Sequence, residues 1–286
     1  MNLAERLGHP SETKLLVLHS DDMGSCEAAN LATFELMEAG RLTSGSIIMP
    51  SPHVQQVADY QRTHPEADLG VHLALTSEHP KSRWPGVLGS KVTPSLHDAD
   101  GFLPMTTAQV VARADPEEAA RELRAQLVLA LEMGIDVTHL DSHMGTVFHR
   151  QFLSAWTGLA VEFGLPTFIP DSFRGRPAIT TMEAAGVPVV DELIHDTYGP
   201  DRAAKEGLFT TLLSGIQPGF THFLIHPAYD TSELRTQIVD WETRVADYEI
   251  FTEGSLHRSL GVDGVQLVGY RGLRDAIRAG LFKSLV

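Results

Sequence analysis

The chain has 286 residues, 43% hydrophobic and 21% charged, an ordinary composition for a globular protein with a sizeable core. Lysine and arginine number 22 against 37 acidic residues, so the formal net charge is −15, which argues against wrapping nucleic acid or an anionic membrane. Cys26 is the one cysteine, which excludes an intramolecular disulfide; with no signal-like or membrane-length apolar run, a cytoplasmic protein is expected.

Apolar β-type runs alternate with helix-type runs along the chain. Residues 15–18 read as a first strand that closes on His19-Ser20-Asp21-Asp22. A helix is expected over 27–39, with Gly40 placed to stop it. Residues 46–49 read as a second strand, 54–62 as a short helix, and 69–75 as a third strand carrying His72. The stretch 76–107 holds four prolines and three glycines, and is expected to be an irregular lid or binding loop. Asp115-Pro116-Glu117-Glu118 is a strong helix start, with Asp at the cap and Pro in the first turn, and its helix is expected to end near 133. A strand over 137–140 closes at Asp141-Ser142-His143, and a helix follows over 152–163. Short strands are expected at 167–169 and 187–190, and a late strand over 220–225 ends at His226. One long helix over 233–251, a strand over 265–268 and a helix over 273–279 complete the chain.

This alternation predicts an α/β fold, a parallel sheet with helices outside it. About seven such units predict a single (β/α) barrel domain over residues 1–286, TIM-like but distorted, with the irregular insertion at about 76–107. A doubly wound open sheet is the alternative.

Four polar clusters sit where apolar strands end: His19 to Asp22, His72, Asp141 to His143, and His226. In parallel α/β architectures those ends form one face, where active sites gather. Two adjacent carboxylates are costly to desolvate together, and a divalent cation would relieve that cost. Strand alternation would send Asp21 and Asp22 to opposite sides, one to a metal and one to water; the plainer reading makes one of them a helix cap near Cys26. One carboxylate and two imidazoles with open positions are a usual catalytic metal set. His139 and Asp141 alternate on their strand, and either would serve as ligand or as support behind one. His226, before Pro227, suits an acid for a leaving group or a partner for backbone carbonyls. There is no phosphate loop and no GxGxxG fingerprint.

At these residues the sequence resembles the YdjC/ChbG-like carbohydrate deacetylase family. His19-Ser20-Asp21-Asp22-Met23-Gly24 is near that family's N-A-D-D-[LF]-G. Gly70-Val71-His72-Leu73, Leu140-Asp141-Ser142-His143 and His226-Pro227 match its G-x-H-L, hydrophobic-D-S-H and late H-P. The chain departs at Ser20, where alanine is usual, and at Gly145, where many members carry a further histidine. The resemblance implies a barrel hydrolase that removes N-acetyl groups from an amino sugar or oligosaccharide with one divalent ion, Mg²⁺ or Zn²⁺. It implies Asp22, His72 and His143 as metal ligands, Asp21 as general base, and His226 as an acid or oxyanion-side group. The expected partner is a small carbohydrate, with a homo-oligomer possible. A metallophosphoesterase of similar barrel fold and a non-enzymatic, metal-containing carbohydrate-binding barrel are the competing readings.

Overall fold

The computed structural model describes residues 1–283, except 198, 200, 254, 255, 257–259 and 261–263. Seven parallel strands form one sheet: β1 (Lys14–Met23), β2 (Ser44–Ile47), β3 (Leu69–Leu73), β4 (Val137–Ser142), β5 (Glu192–Ile194), β6 (Gly219–Ile225) and β7 (Val265–Leu267). Their order is β4-β3-β2-β1-β6-β5, with β7 paired to the start of β1. Alternation along β1 separates two environments. Leu16 and Leu18 pack outward with Phe209, Ile250 and Phe251, while Leu15 and Val17 join the main core cluster. Continuing the inward set, His19 and Asp21 replace apolar side chains as the strand nears its carboxyl end.

The architecture is barrel-like and distorted, and it is not a regular eight-stranded barrel. Between β4 and β5 the described pairing is two single bridges, Leu140↔Thr167 and Thr167↔Val189. Prolines explain this: Pro166 precedes Thr167, Pro170 closes the run three residues later, Pro188 precedes Val189, and none of them can donate to a ladder. The expected strands at 167–169 and 187–190 therefore shrink to bridges, and the ordered strand forms just afterwards as β5.

The helix start at Asp115 is as expected: its carboxylate accepts from the amides of Glu117 and Glu118, and the helix Pro116–Glu132 follows. The long helix expected over 233–251 is two, Ser232–Gln237 and Trp241–Glu253. Ile238 leaves helical geometry, at φ −105° and ψ 121°, and buries itself with Cys26, Ala28 and Ala228. Among the described residues no helix is long and apolar enough to cross a membrane.

The insertion is a packed wall tied to the body of the protein. Trp84 is fully buried and its indole donates to Thr76 O at 3.0 Å. The buried Glu122 carboxylate accepts from Val87 N at 2.7 Å and Leu88 N at 3.0 Å, and Ser95 is held by Glu118. Removing a hydrogen-bonded buried partner costs about 1–3 kcal/mol for each group left unsatisfied. Glu122→Ala is therefore expected to accelerate amide hydrogen exchange at Val87 and Leu88 while the exchange of β1 and β6 stays as in the wild type. Unchanged exchange at both amides would show that the insertion is held elsewhere.

Candidate active site

Strand ends and register assemble the site. His72 lies beside Asp141 in the β3–β4 pairing, so both face the interior, and His72 Nδ1 donates to Asp141 Oδ1 at 2.7 Å. Ser20 pairs with Ile225, which brings His226, one residue past the end of β6, level with Asp21. Asp21, Asp22, His72, His143 and His226 all line one cavity of about 740 Å³. These five strand-end residues therefore reach one place, while His19 and Asp141 lie behind them.

The Asp pair is arranged differently from the strand expectation. The pairing of β1 with β2 shifts register between Ser20 and Met23, and Asp22 takes a left-handed φ of 66°. That conformation costs a non-glycine residue of order 1–3 kcal/mol and concentrates at functional sites. Strict alternation is lost, and both carboxylates turn toward one imidazole. Asp22 Oδ1 lies 3.3 Å and Asp21 Oδ2 3.8 Å from His72 Nε2. Neither is a helix cap: the helix Glu27–Glu38 begins after Cys26 with no side-chain cap.

Asp22 is the hub, only 2% exposed. Its Oδ1 also lies 3.1 Å from His143 Nδ1, and its Oδ2 accepts from Arg244 at 2.8 Å. Burial pushes its pKa up, but Arg244 and His143 outweigh burial and hold it well below the usual carboxylate range. His143 Nε2 donates to Glu78 Oε2 at 2.7 Å. Each imidazole thus has one nitrogen braced by a carboxylate, Asp141 or Glu78, and turns the other toward Asp22. Such bracing fixes the tautomer of a metal-bound histidine. One donor atom from each of Asp22, His72 and His143 lies within 4.8 Å of the others. The donor set fits a divalent ion.

The remaining groups are held from behind. His19 Nδ1 lies 2.8 Å from Asp21 Oδ1, and His226 Nε2 lies 3.8 Å from Asp21 Oδ2. The His226 amide donates to Asp247, whose other oxygen is 2.7 Å from the buried Lys205 ammonium. Burial lowers the His226 imidazole pKa, so it is neutral near neutral pH.

Sequence reasoning had no hold on Glu78, Asp240 or Arg244. Glu78 opens the irregular insertion and carries no periodic signal. Asp240 lies in the helix break and pairs with Arg244 at 2.9 Å, and Arg244 sits on a helix where a lone cation reads as solvated surface. In the fold Arg244 is 4% exposed.

Fold and cluster define a barrel-like α/β protein with a polar, titratable site at the carboxyl ends of its strands. The YdjC-like protein family matches residues 15–261, and the chain belongs to that family. A carbohydrate deacetylase of Thermus thermophilus is 31% identical over 97% of this chain and all of its own length. Another, from Geobacillus stearothermophilus, is 29% identical over 89% of this chain and 96% of its own. Among solved structures, a proposed cellobiose-phosphate cleavage protein of Enterococcus faecalis V583 superposes with a TM-score of 0.81 at 23% identity, covering 91% of this chain and 99% of that one.

The titration of the cluster gives a direct test of its geometry. Burial lowers the His143 pKa, but Glu78 and Asp22 outweigh it and raise the value from 6.5 to about 9. Burial pushes His139 and His222 well below 6.5. In chelator-treated protein, imidazole nitrogen NMR should show His143 charged until about pH 9, with His139 and His222 neutral throughout the neutral range. Because the folded value of His143 exceeds the unfolded one, its stabilisation is complete below about pH 6.5 and is lost as pH rises through 9. A His143 resonance that titrates near 6.5 would contradict the Glu78–His143–Asp22 arrangement.

Proposed function

We propose that this protein is a metal-dependent hydrolase that removes an N-acetyl group from an amino sugar or oligosaccharide. The observation that carries the reading is the convergence of Asp22 with two carboxylate-braced imidazoles in the floor of a cavity. The deacetylase relatives, matched over nearly their full length, favour this reading over a phosphoesterase or a binding protein.

In this reading Asp22, His72 and His143 hold one divalent ion. When bound, it supplies Lewis-acid polarisation of the acyl carbonyl and of the attacking water. Asp21 accepts the water's proton at Oδ2, the oxygen that faces the cavity side histidines. His19 lies behind it, with Nδ1 2.8 Å from Oδ1. Amide cleavage then requires a proton on the leaving nitrogen. His226 starts neutral, so its proton must arrive during the cycle, and Asp21 Oδ2 at 3.8 Å is placed to pass one on. His226 Nε2 then delivers it to the amine. The Lys205–Asp247 pair keeps the His226 backbone in place during that transfer. Arg244 keeps Asp22 ionised whether or not an ion is present.

The test is acetate release from a panel of N-acetylated amino sugars and chito-oligosaccharides. Wild-type protein should release acetate and free amine, lose that activity to a chelator and regain it with a divalent ion. Asp21→Asn keeps the shape and cannot take a proton, so it should retain the ion while turnover falls about 10²–10⁴-fold. Absence of acetate release by the ion-loaded wild type across the panel, or full turnover by Asp21→Asn, would overturn the proposal.

A further inference from the structure

Beneath the cavity floor, Asp21 meets two buried histidines, His19 and His222, to which the proposed mechanism gives no chemical step. His19 and Asp21 from β1 and His222 from β6 each offer a donor atom within 4.8 Å of the others, and all three residues are buried. His222 Nδ1 is 2.7 Å from the Tyr270 hydroxyl, which leaves Nε2 for the cluster. That Nε2 has no hydrogen-bond partner, and neither do His19 Nδ1 and Asp21 Oδ1. The last two are 2.8 Å apart, but the ring N–H direction misses the oxygen, so the short distance satisfies neither.

Three buried, unpartnered polar atoms in one place are costly to keep dry unless something binds them. Two imidazole nitrogens and a carboxylate oxygen attract a cation. In the tautomer whose Nδ1–H donates to Tyr270, His222 Nε2 presents a lone pair to the cluster. Two nitrogens and one oxygen favour a first-row transition ion over magnesium or calcium.

We propose that His19, Asp21 and His222 form a second divalent-cation site, suited to Zn²⁺, that shares no ligand with the Asp22, His72 and His143 cluster. His19 and His222 are fully enclosed, so an ion there faces away from the cavity and does not touch substrate. Asp21 lines the cavity and is the way in. A bound ion anchors Asp21 through Oδ1 and leaves Oδ2 facing His72 and His226, each 3.8 Å away. The site is thus a positioning device for the carboxylate that the mechanism uses.

The experiment is zinc content by elemental analysis after chelation, reloading with Zn²⁺ and exhaustive dialysis, with folding checked by circular dichroism. Wild type, His72→Ala and His222→Leu are compared. The expected result is two ions in the wild type, one in His72→Ala and one in His222→Leu. One ion in the wild type that His72→Ala loses and His222→Leu keeps would overturn the second site, as would a wild type without zinc. One ion that His72→Ala keeps and His222→Leu loses would support this site and overturn the upper one. If His222→Leu fails to fold, the other two proteins decide: an ion retained by His72→Ala supports the site, and none overturns it.

Discussion

A carboxylate almost sealed from water must be neutralised by its neighbours, and Asp22 is neutralised from three sides. Arg244 meets one oxygen at 2.8 Å, and His72 and His143 approach the other at 3.3 and 3.1 Å. Removing one partner from such a buried arrangement typically costs about 3–5 kcal/mol. Much of the surrounding fold serves that convergence. The bulge in β1 turns Asp22 inward, the β3–β4 register sets Asp141 behind His72, and the insertion brings Glu78 behind His143. The helix break at Ile238 starts the helix that carries Arg244.

The interior above the apolar base of the sheet is unusually rich in imidazole. His19 Nε2 lies 2.8 Å from His139 Nε2, and the rings of His19 and His222 lie 4.7 Å apart. Space for these rings is specified locally. A Cβ on Gly70 would come within 2.6 Å of all three of the nearest His139 ring atoms, so glycine is needed at that point of β3. Burying so many polar rings is expensive compared with aliphatic packing. The expense is concentrated directly beneath the cavity floor, while the outward faces of the same strands pack Leu16, Leu18, Phe223 and Ile225 conventionally.

The strand ends were legible in the sequence because titratable residues interrupt apolar runs there. Asp21, Asp22, His72, His143 and His226 are all visible by that contrast, and parallel topology brings such ends together. The bulge at Asp22 was not legible, because a left-handed aspartate leaves no mark in a residue pattern. His222 lay within the apolar run Phe220 to Ile225, where a single histidine reads as core. Arg244 and Glu78 depend on long-range packing, 222 and 65 positions from their partners by the numbering of Asp22 and His143. The weak strands near Thr167 and Val189 were overestimated because β-propensity of their apolar residues conceals the donors lost at Pro166, Pro170 and Pro188.

The central claim is that the groups around Asp22 are gathered to hold a divalent ion and are not merely a buried ion-pair network. Anomalous diffraction from crystals soaked in Mn²⁺ tests it most directly. The account predicts a strong peak within bonding distance of side-chain donors from Asp22, His72 and His143, with Asp141 and Glu78 still bonded to the far nitrogens of the two imidazoles. A featureless map at that point, with Arg244 and both histidines still directly paired to Asp22, would contradict it.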